Sequence, residues 1–168
     1  MSVIKGNRII YLYRILKDAA TDDAKAIAFT TENSRSKSRD SDTVITKDGT
    51  IRVPGEVETE INTTALFAGE NDEMIGKIEG ALDDGDKVEI WEVNLDKPGT
   101  TENQGKFAAK YFRGYVTNFE LTTSSEDYAE AALDFGIEGS GEDGYATVTA
   151  EQQEIAAYEF QDTTKTGA

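Results

Sequence analysis

Adjacent carboxylates are the residues of this sequence with the clearest potential for chemistry. They occur at Asp22-Asp23 and at Asp83-Asp84, and paired carboxylates can serve as the acid and the base of glycoside hydrolysis. Both pairs stand among turn-forming residues, however, where adjacent acids usually cap helices or carry solvated charge. The chain has no histidine and no cysteine, which excludes imidazole-based triads, thiol nucleophiles, zinc fingers and disulfides. We therefore expect a protein without catalytic residues and without a cofactor.

Two other segments offer oxygen ligands or a glycine-rich loop. The strings "DSDTVITKDG" and "GSGEDG" contain acids close together, but neither follows the spacing of a calcium-binding loop. The string "GIEGSGEDG", residues 136–144, contains acids that would repel a phosphate, so we interpret it as a flexible turn between strands. The sequence predicts no metal site and no nucleotide site.

The charge of the chain is large and unevenly spread. The net charge is −16, and residues 1–55 hold ten basic and seven acidic residues, whereas the remainder holds seven basic and 26 acidic ones. Such a surface repels nucleic acid and anionic membranes. Arg35, Lys37 and Arg39 are followed at once by Asp40 and Asp42, so this basic stretch suits a contact with an acidic neighbour better than a contact with nucleic acid. The alternative is that the acidic surface only keeps the protein soluble.

The hydrophobic pattern predicts a mainly β protein with one helix. Aromatic and β-branched residues or strict alternation favour strands, and a stripe formed by Met74, Ile75, Ile78 and Leu82 favours a helix between residues 69 and 87, which Asn71 or Asp72 can cap. The predicted strands cover residues 9–16, 25–31 (with Ile27 and Phe29 facing inward), 56–66, 88–95, 107–121 and 128–137. No apolar run approaches the roughly 20 residues of a membrane span, and the N-terminus has no cleavage site of a signal peptide, so we expect no membrane contact.

Residues 32–55 interrupt this pattern and predict a long protruding arm. Four apolar residues stand among polar ones, and the pair Asp48-Gly49 is typical of a tight hairpin turn. A connection of this length is normally functional or disordered. We expect the arm to be mobile in the free subunit and ordered by a neighbour.

Residues 30–50, "TTENSRSKSRDSDTVITKDGT", follow the strand "KGNRIIYLYRI" and precede "EVETEINTTALF" and the single helix. In this order of features the chain resembles the major tail proteins, or tail tube proteins, of long, flexible-tailed bacteriophages (siphophages). The resemblance implies two packed antiparallel β-sheets, a sandwich or barrel-like fold, with one flanking α-helix and a protruding β-hairpin arm. We expect a single domain over residues 1–157, with the arm at about 32–55 and a flexible tail at 158–168.

The resemblance also implies a structural function in the virion. Such subunits form hexameric rings that stack into a tube around a tape measure protein, end at a tail terminator and conduct DNA without binding it specifically. They are made in the cytoplasm of the bacterial host. We expect seven arm residues to contact the next ring, namely Arg35, Lys37, Arg39, Val44, Ile45, Ile51 and Val53. An acidic face formed by Glu56, Glu58 and Glu60 is expected to line the lumen, since an anionic bore would not retain DNA.

Two alternatives remain open from the sequence. The first is a tail terminator or head–tail connector, which forms rings without polymerising. The second is a non-catalytic β-sandwich that binds carbohydrate or a cell surface through exposed aromatic residues, for which Tyr111, Tyr115 and Phe119 are candidates. Their spacing, together with Phe107 and Leu121, predicts a buried strand face instead.

Overall fold

A computed structural model describes residues 3–148, and these fold into six strands and one helix. The helix, α1, covers Asp72–Asp84. The strands are β1 (Ile9–Ile15), β2 (Thr30–Thr46), β3 (Gly49–Leu66), β4 (Lys87–Pro98), β5 (Lys106–Thr122) and β6 (Glu130–Thr147). The predicted domain end at 157 and the predicted tail at 158–168 lie outside the described residues.

The six strands form one antiparallel sheet in the order β1-β4-β5-β6-β3-β2. The sheet curls so that its two ends face each other. The contacts of Tyr13, on β1, with strands near the other end show this closure. The ring of Tyr13 stacks on Phe135 of β6 with centroids 5.7 Å apart, and its hydroxyl shares a 2.6 Å hydrogen bond with Thr63 of β3. The predicted mainly β class, with one helix and a hairpin arm, is confirmed. The two packed antiparallel β-sheets that were expected are the two halves of one continuous sheet.

Bulges in the long strands β5 and β6 allow this curvature. Residues 139–141 of β6 stand opposite Phe112 alone on β5, and a second register shift follows Val116. Bulges bend a strand and increase its twist. Gly139 and Gly141 have φ values of +71° and +89°, and a Cβ at Gly141 would collide with the ring of Phe112. The prediction of a flexible turn at 136–144 is therefore wrong, because these glycines form a bulge within a strand.

The main core lies between the two halves of the sheet and under the helix. Ile75, Ile78 and Ala81 of α1 are buried in it, and Met74 and Leu82 pack at its margin, as the stripe predicts. A smaller cluster on the other side of β1 and β4 contains Leu12, Val93 and Leu95.

Local geometry overturns three details of the sequence interpretation. The bulges shift the parity of β5, so that Phe112, Gly114 and Val116 are buried, whereas Tyr115 and Leu121 are exposed. Residues 25–29 form no strand beyond a single bridge from Lys25 to Tyr13, because the chain must cross there between the two halves of the sheet, and residues 30 and 31 begin β2 instead. Phe29 is consequently exposed, with a φ of +60°.

Asn71 occupies the N-cap position of α1, but its side chain does not cap the helix. The buried amide instead donates to the carbonyl oxygens of Ala28 at 2.6 Å and Leu66 at 2.8 Å, and its Oδ1 accepts from the backbone N–H of Ala68 at 3.0 Å. Asn71 thus ties together the chain segments around the start of the helix.

Replacing Ile78 by aspartate should lower the free energy of unfolding by about 3–5 kcal/mol, since the charge would be buried without a partner. Ile78 is fully buried, whereas its neighbour Glu79 is exposed. Urea unfolding followed by circular dichroism would measure the change. Glu79→Ala is the control and should stay within about 0.5 kcal/mol of the wild type. Equal stability of Ile78→Asp and wild type would refute the packing of the helix.

Candidate functional site

The hairpin of β2 and β3 extends well beyond the body of the protein. Every residue from 36 to 56 is exposed. The turn lies at Lys47 and Asp48, where the hydroxyl of Thr46 donates to the carbonyl of Gly49 at 2.6 Å and accepts from the backbone N–H of Asp48 at 3.2 Å. We call residues 35–37 of β2, where the arm leaves the body, its root. Beyond the root the arm is stabilised mainly by backbone hydrogen bonds between its own two strands and by few side-chain contacts.

The apolar residues of the arm cluster near its tip and face solvent. Val44 pairs directly with Ile51, and Val53 lies two residues farther along β3, so the three side chains share one face of the ribbon. Ile45 lies on the opposite face and is 85% exposed. Both faces of the tip therefore offer apolar surface that the subunit itself does not cover.

Arg35, predicted to contact another ring, forms a contact within its own subunit. Its Nε and Nη2 donate to the two carboxylate oxygens of Glu92 on β4 at 2.7 and 3.1 Å, and its guanidinium lies 5.7 Å from the ring centroid of Phe112. The hydroxyl of Tyr11 also donates to Glu92, at 2.6 Å. This cluster links β2 at one end of the sheet to β1 and β4 at the other end.

The electrostatics of the cluster favour the ion pair. Burial opposes ionisation of Glu92, but the hydrogen bonds from Arg35 and Tyr11 outweigh it and hold the pKa of this carboxyl below its ordinary value. Burial, together with the bond to Glu92, raises the pKa of the Tyr11 hydroxyl far above its usual range. Arg35 is consequently charged, Glu92 is charged and Tyr11 is a neutral donor at physiological pH.

The other two predicted cations differ from Arg35. The Nζ of Lys37 donates to the backbone carbonyl of Ser140, in the β6 bulge, at 2.8 Å. Arg39 is exposed, and within residues 3–148 its side chain has no hydrogen bond or ion pair. Arg35 and Lys37 thus anchor the root of the arm to its own body, and Arg39 is the cation that is free to reach a neighbour.

Sequence reasoning missed Glu92 and Tyr11. Glu92 is 57 residues from Arg35 along the chain, so no local spacing connects them. The available signal was weaker: two acids, Glu89 and Glu92, interrupt the apolar strand "VEIWEVNL", and a buried carboxylate requires a cationic partner.

The acidic residues that were predicted to line the lumen share a solvent-exposed face of β3. Glu56, Glu58 and Glu60 are all exposed, whereas Thr59 and Ile61 on the opposite face are buried. In the described part of the chain none of the three carboxylates forms an ion pair. They line an open groove together with uncharged residues of β2, β5 and β6, including Ser36, Ser38, Thr117 and Gly136.

The three aromatic residues considered for a binding platform do not form one. Tyr111 packs against Trp91, with ring centroids 5.1 Å apart, and donates its hydroxyl to the buried Glu89. Tyr115 lies beside Lys87, and Phe119 packs against the main core. The Glu89 carboxylate also accepts from Arg14 Nε at 2.8 Å, so its charge is neutralised within the subunit.

Comparison with known proteins gives a consistent result. The model of a family described as phage tail tube protein matches residues 3–143. A protein assigned to the tail of Staphylococcus phage phiMR25 is 35% identical over 167 residues, which is 97% of this chain and 84% of that protein. Among residues 3–148, no helix is long and apolar enough to span a membrane.

Two solved structures share the fold. The SPP1 tail tube protein has a TM-score of 0.71 and 21% identity, over 99% of this chain and 95% of that one. A chain from the tail of a gene transfer agent particle, determined with C6 symmetry, has a TM-score of 0.59 and 15% identity, over 88% of this chain and all of that one. At these identities the likeness concerns the fold alone.

Replacing Glu92 by glutamine should destabilise the subunit by about 1–3 kcal/mol at pH 7, because a partly buried, charge-assisted hydrogen-bond pair is lost. The native pKa of Glu92 lies below its ordinary value of 4.5, so its stabilisation is complete above pH 4.5 and is lost as the pH falls through the native pKa. The stability gap between wild type and variant should therefore narrow below pH 4.5.

Urea unfolding at pH 7, 5, 4 and 3 would measure that gap. Glu58→Gln, at an exposed acid on β3, is the matched control and should stay within about 0.5 kcal/mol of the wild type at pH 7. A gap that is constant across the whole pH range would show that the charge of Glu92 contributes nothing to stability.

Proposed function

The chain belongs to the phage tail tube protein family, and from this premise we propose how its subunits form the tube. As a tail tube protein it is a structural component of the phage tail, which favours the tube over a terminator, a connector or a carbohydrate-binding module. We propose that six copies form a ring and that rings stack head to tail. The absence of catalysis, of metal and of a cofactor is part of this proposal.

The observation that carries the proposal is an arm that its own subunit does not support. Residues 36–56 are exposed, and the arm tip presents apolar side chains on both faces. Such surface is stabilised when a second molecule buries it. An arm that protrudes from one side and binds a different surface of the next copy makes a heterologous contact, and contacts of this kind generate open filaments.

A ring of six is supported by the shared fold. The gene transfer agent tail that this chain resembles has C6 symmetry. We propose the same ring size here, with a tape measure protein inside the tube during assembly and a tail terminator at its end. In this proposal the protein is made in the host cytoplasm and functions in the virion, and residues 1–157 form one domain followed by a tail at 158–168.

The contact to the next ring is proposed to involve the outer arm. Val44, Ile45, Ile51 and Val53 supply the apolar surface, and Arg39 supplies a free cation for an acidic neighbour. Lys37 can exchange its exposed bond with Ser140 for such a contact at little cost, because exposed polar bonds contribute about 1 kcal/mol or less. Arg35 is better explained as the anchor of the arm. If Arg35 bound a neighbouring subunit instead, Glu92 would be left partly buried without a cation.

The acidic face of β3 is proposed to line the lumen. Glu56, Glu58 and Glu60 are exposed, unpaired with cations and surrounded by small uncharged side chains. Repeated around a ring, this face would make a bore that repels phosphate along its length. DNA would then pass without specific or lasting contacts.

Removal of the outer arm should abolish tube growth without unfolding the subunit. Residues 43–52 would be replaced by Asn-Gly, which closes a tight hairpin between the paired residues Asp42 and Val53. Circular dichroism and the melting temperature of the monomer should stay close to those of the wild type, because the core lies outside the deletion. Electron microscopy should show no tubes.

A matched control keeps the arm but removes one of its free charges. Arg39→Gln should still form tubes, with slower growth at low salt, because exposed charges affect association rates more than affinity. If the variant with the shortened arm formed tubes of normal length, the arm would not be required for tube growth.

The position of the acidic face can be tested with a single cysteine, because the chain contains none. In free subunits Glu58→Cys should react with both a small maleimide and a bulky polyethylene glycol maleimide. In long tubes the small reagent should still react, and the bulky one should react at least tenfold more slowly, since the lumen is narrow. Unchanged labelling by the bulky reagent in tubes would place Glu58 on the outer wall.

A further inference from the structure

A second group of exposed apolar side chains lies at the end of the sheet opposite the arm tip. Leu121 (46% exposed) and Tyr128 (83%) belong to the end of β5 and the loop before β6, and Phe29 (52%) and Phe67 (37%) flank the start of β2 and the end of β3. We call these four residues the base patch. Of the eight other large exposed apolar residues of the described chain, four are in the arm tip.

Backbone pairing brings the base patch onto one rim of the sheet. The backbone N–H of Leu66 donates to the carbonyl of Phe29 at 3.0 Å, and that of Phe67 donates to the carbonyl of Ala129 at 2.8 Å. Leu121 pairs with Ala131 in the next register position of β6. The four apolar residues therefore lie in or directly beside the ends of four neighbouring strands, β2, β3, β6 and β5, at the same end of the sheet.

The backbone at Phe29 is constrained to hold its ring toward solvent. Its φ of +60° is rare for a bulky residue. The segment is fixed on both sides by Asn71, whose buried amide donates to Ala28 O at 2.6 Å, and by Thr30, whose hydroxyl donates to Ile27 O at 2.8 Å. A strained, well-fixed conformation that exposes an aromatic ring is typical of a binding surface.

We propose that the base patch is the docking surface for the arm tip of a second copy of this chain. The proposal rests on the head-to-tail stacking proposed above, and it names the surface that receives the arm. Tip and base lie at opposite ends of the same long hairpin, as a heterologous contact requires. Val44, Ile45, Ile51 and Val53 match the base patch in chemistry, because aliphatic and aromatic side chains bury each other's surface.

Cysteine cross-linking tests this proposal directly in assembled tubes, because the chain has no cysteine of its own. The variant Ile45→Cys with Tyr128→Cys should give, on mild oxidation of tubes, a ladder of disulfide-linked multimers. The control pair is Ile45→Cys with Tyr145→Cys, since Tyr145 is also exposed (49%) but lies near the other end of β6. We expect at least tenfold more cross-linking from the first pair.

The outcomes separate the two proposals. Tubes of the first pair that cross-link no better than the control pair would overturn docking on the base patch while leaving the tube intact. Dimers from Tyr128→Cys alone would mean that two bases meet, which also overturns it. If the wild-type chain formed no tubes at all, the stacking proposal itself would fail, and this inference with it.

An assembly measurement provides a second readout. Phe67→Ser with Tyr128→Ser should raise the subunit concentration needed for tube formation by about tenfold or more, because buried aromatic surface is lost from each contact. Tyr128→Ser alone should leave the melting temperature of the monomer unchanged, because this side chain is 83% exposed, whereas Phe67→Ser should lower it slightly, because Phe67 is only 37% exposed. Tyr145→Ser is the control and should change neither quantity, and an equal effect of the control would contradict the proposal.

Discussion

The hydroxyl of Tyr13, on the first strand of the sheet, meets Thr63 on a strand four places away in the sheet order. Thr63 in turn donates to Asn33 on the last strand at 3.0 Å. Burial raises the pKa of the Tyr13 hydroxyl well above its usual value, so it remains a neutral hydrogen-bonding group. A buried hydroxyl without a partner is costly, and this network therefore fixes how the two ends of the sheet close over the core.

The closure of the sheet determines where the body ends and the arm begins. Up to Arg35, β2 is held to the body by polar side chains, because Asn33 accepts hydrogen bonds from Tyr13 and Thr63 and the Arg35 guanidinium is held by Glu92 on the facing half. Lys37 makes the last side-chain bond to the body, at Ser140 in the bulge of β6. Beyond this point β2 and β3 continue as an exposed two-stranded ribbon. The same two strands thus belong to the body of the protein in one half of their length and form the protruding arm in the other.

Local sequence patterns predicted the elements that depend on local physics. The apolar strand at residues 9–16, the alternating strand that contains Ile61 and the helix stripe around Ile78 are confirmed, since each follows from neighbouring residues alone. The hairpin is also confirmed, but its turn lies one residue before the predicted pair, at Lys47 and Asp48. The β5 face was assigned wrongly because the alternation of β5 breaks at the register shift after Val116, which depends on the pairing with β6 and which no pattern within β5 reveals. Likewise, the Arg35–Glu92 pair arises only once the sheet closes on itself.

The unsupported length of the hairpin has a kinetic consequence. If rings stack as proposed, a subunit that binds only one neighbour buries its arm in few contacts, whereas a subunit that joins a completed ring meets several receiving surfaces at once. Starting a filament is then disfavoured relative to extending one. Under that proposal subunits would remain unassembled above the concentration that sustains growth, and polymerisation would begin where a preformed end provides the nucleus.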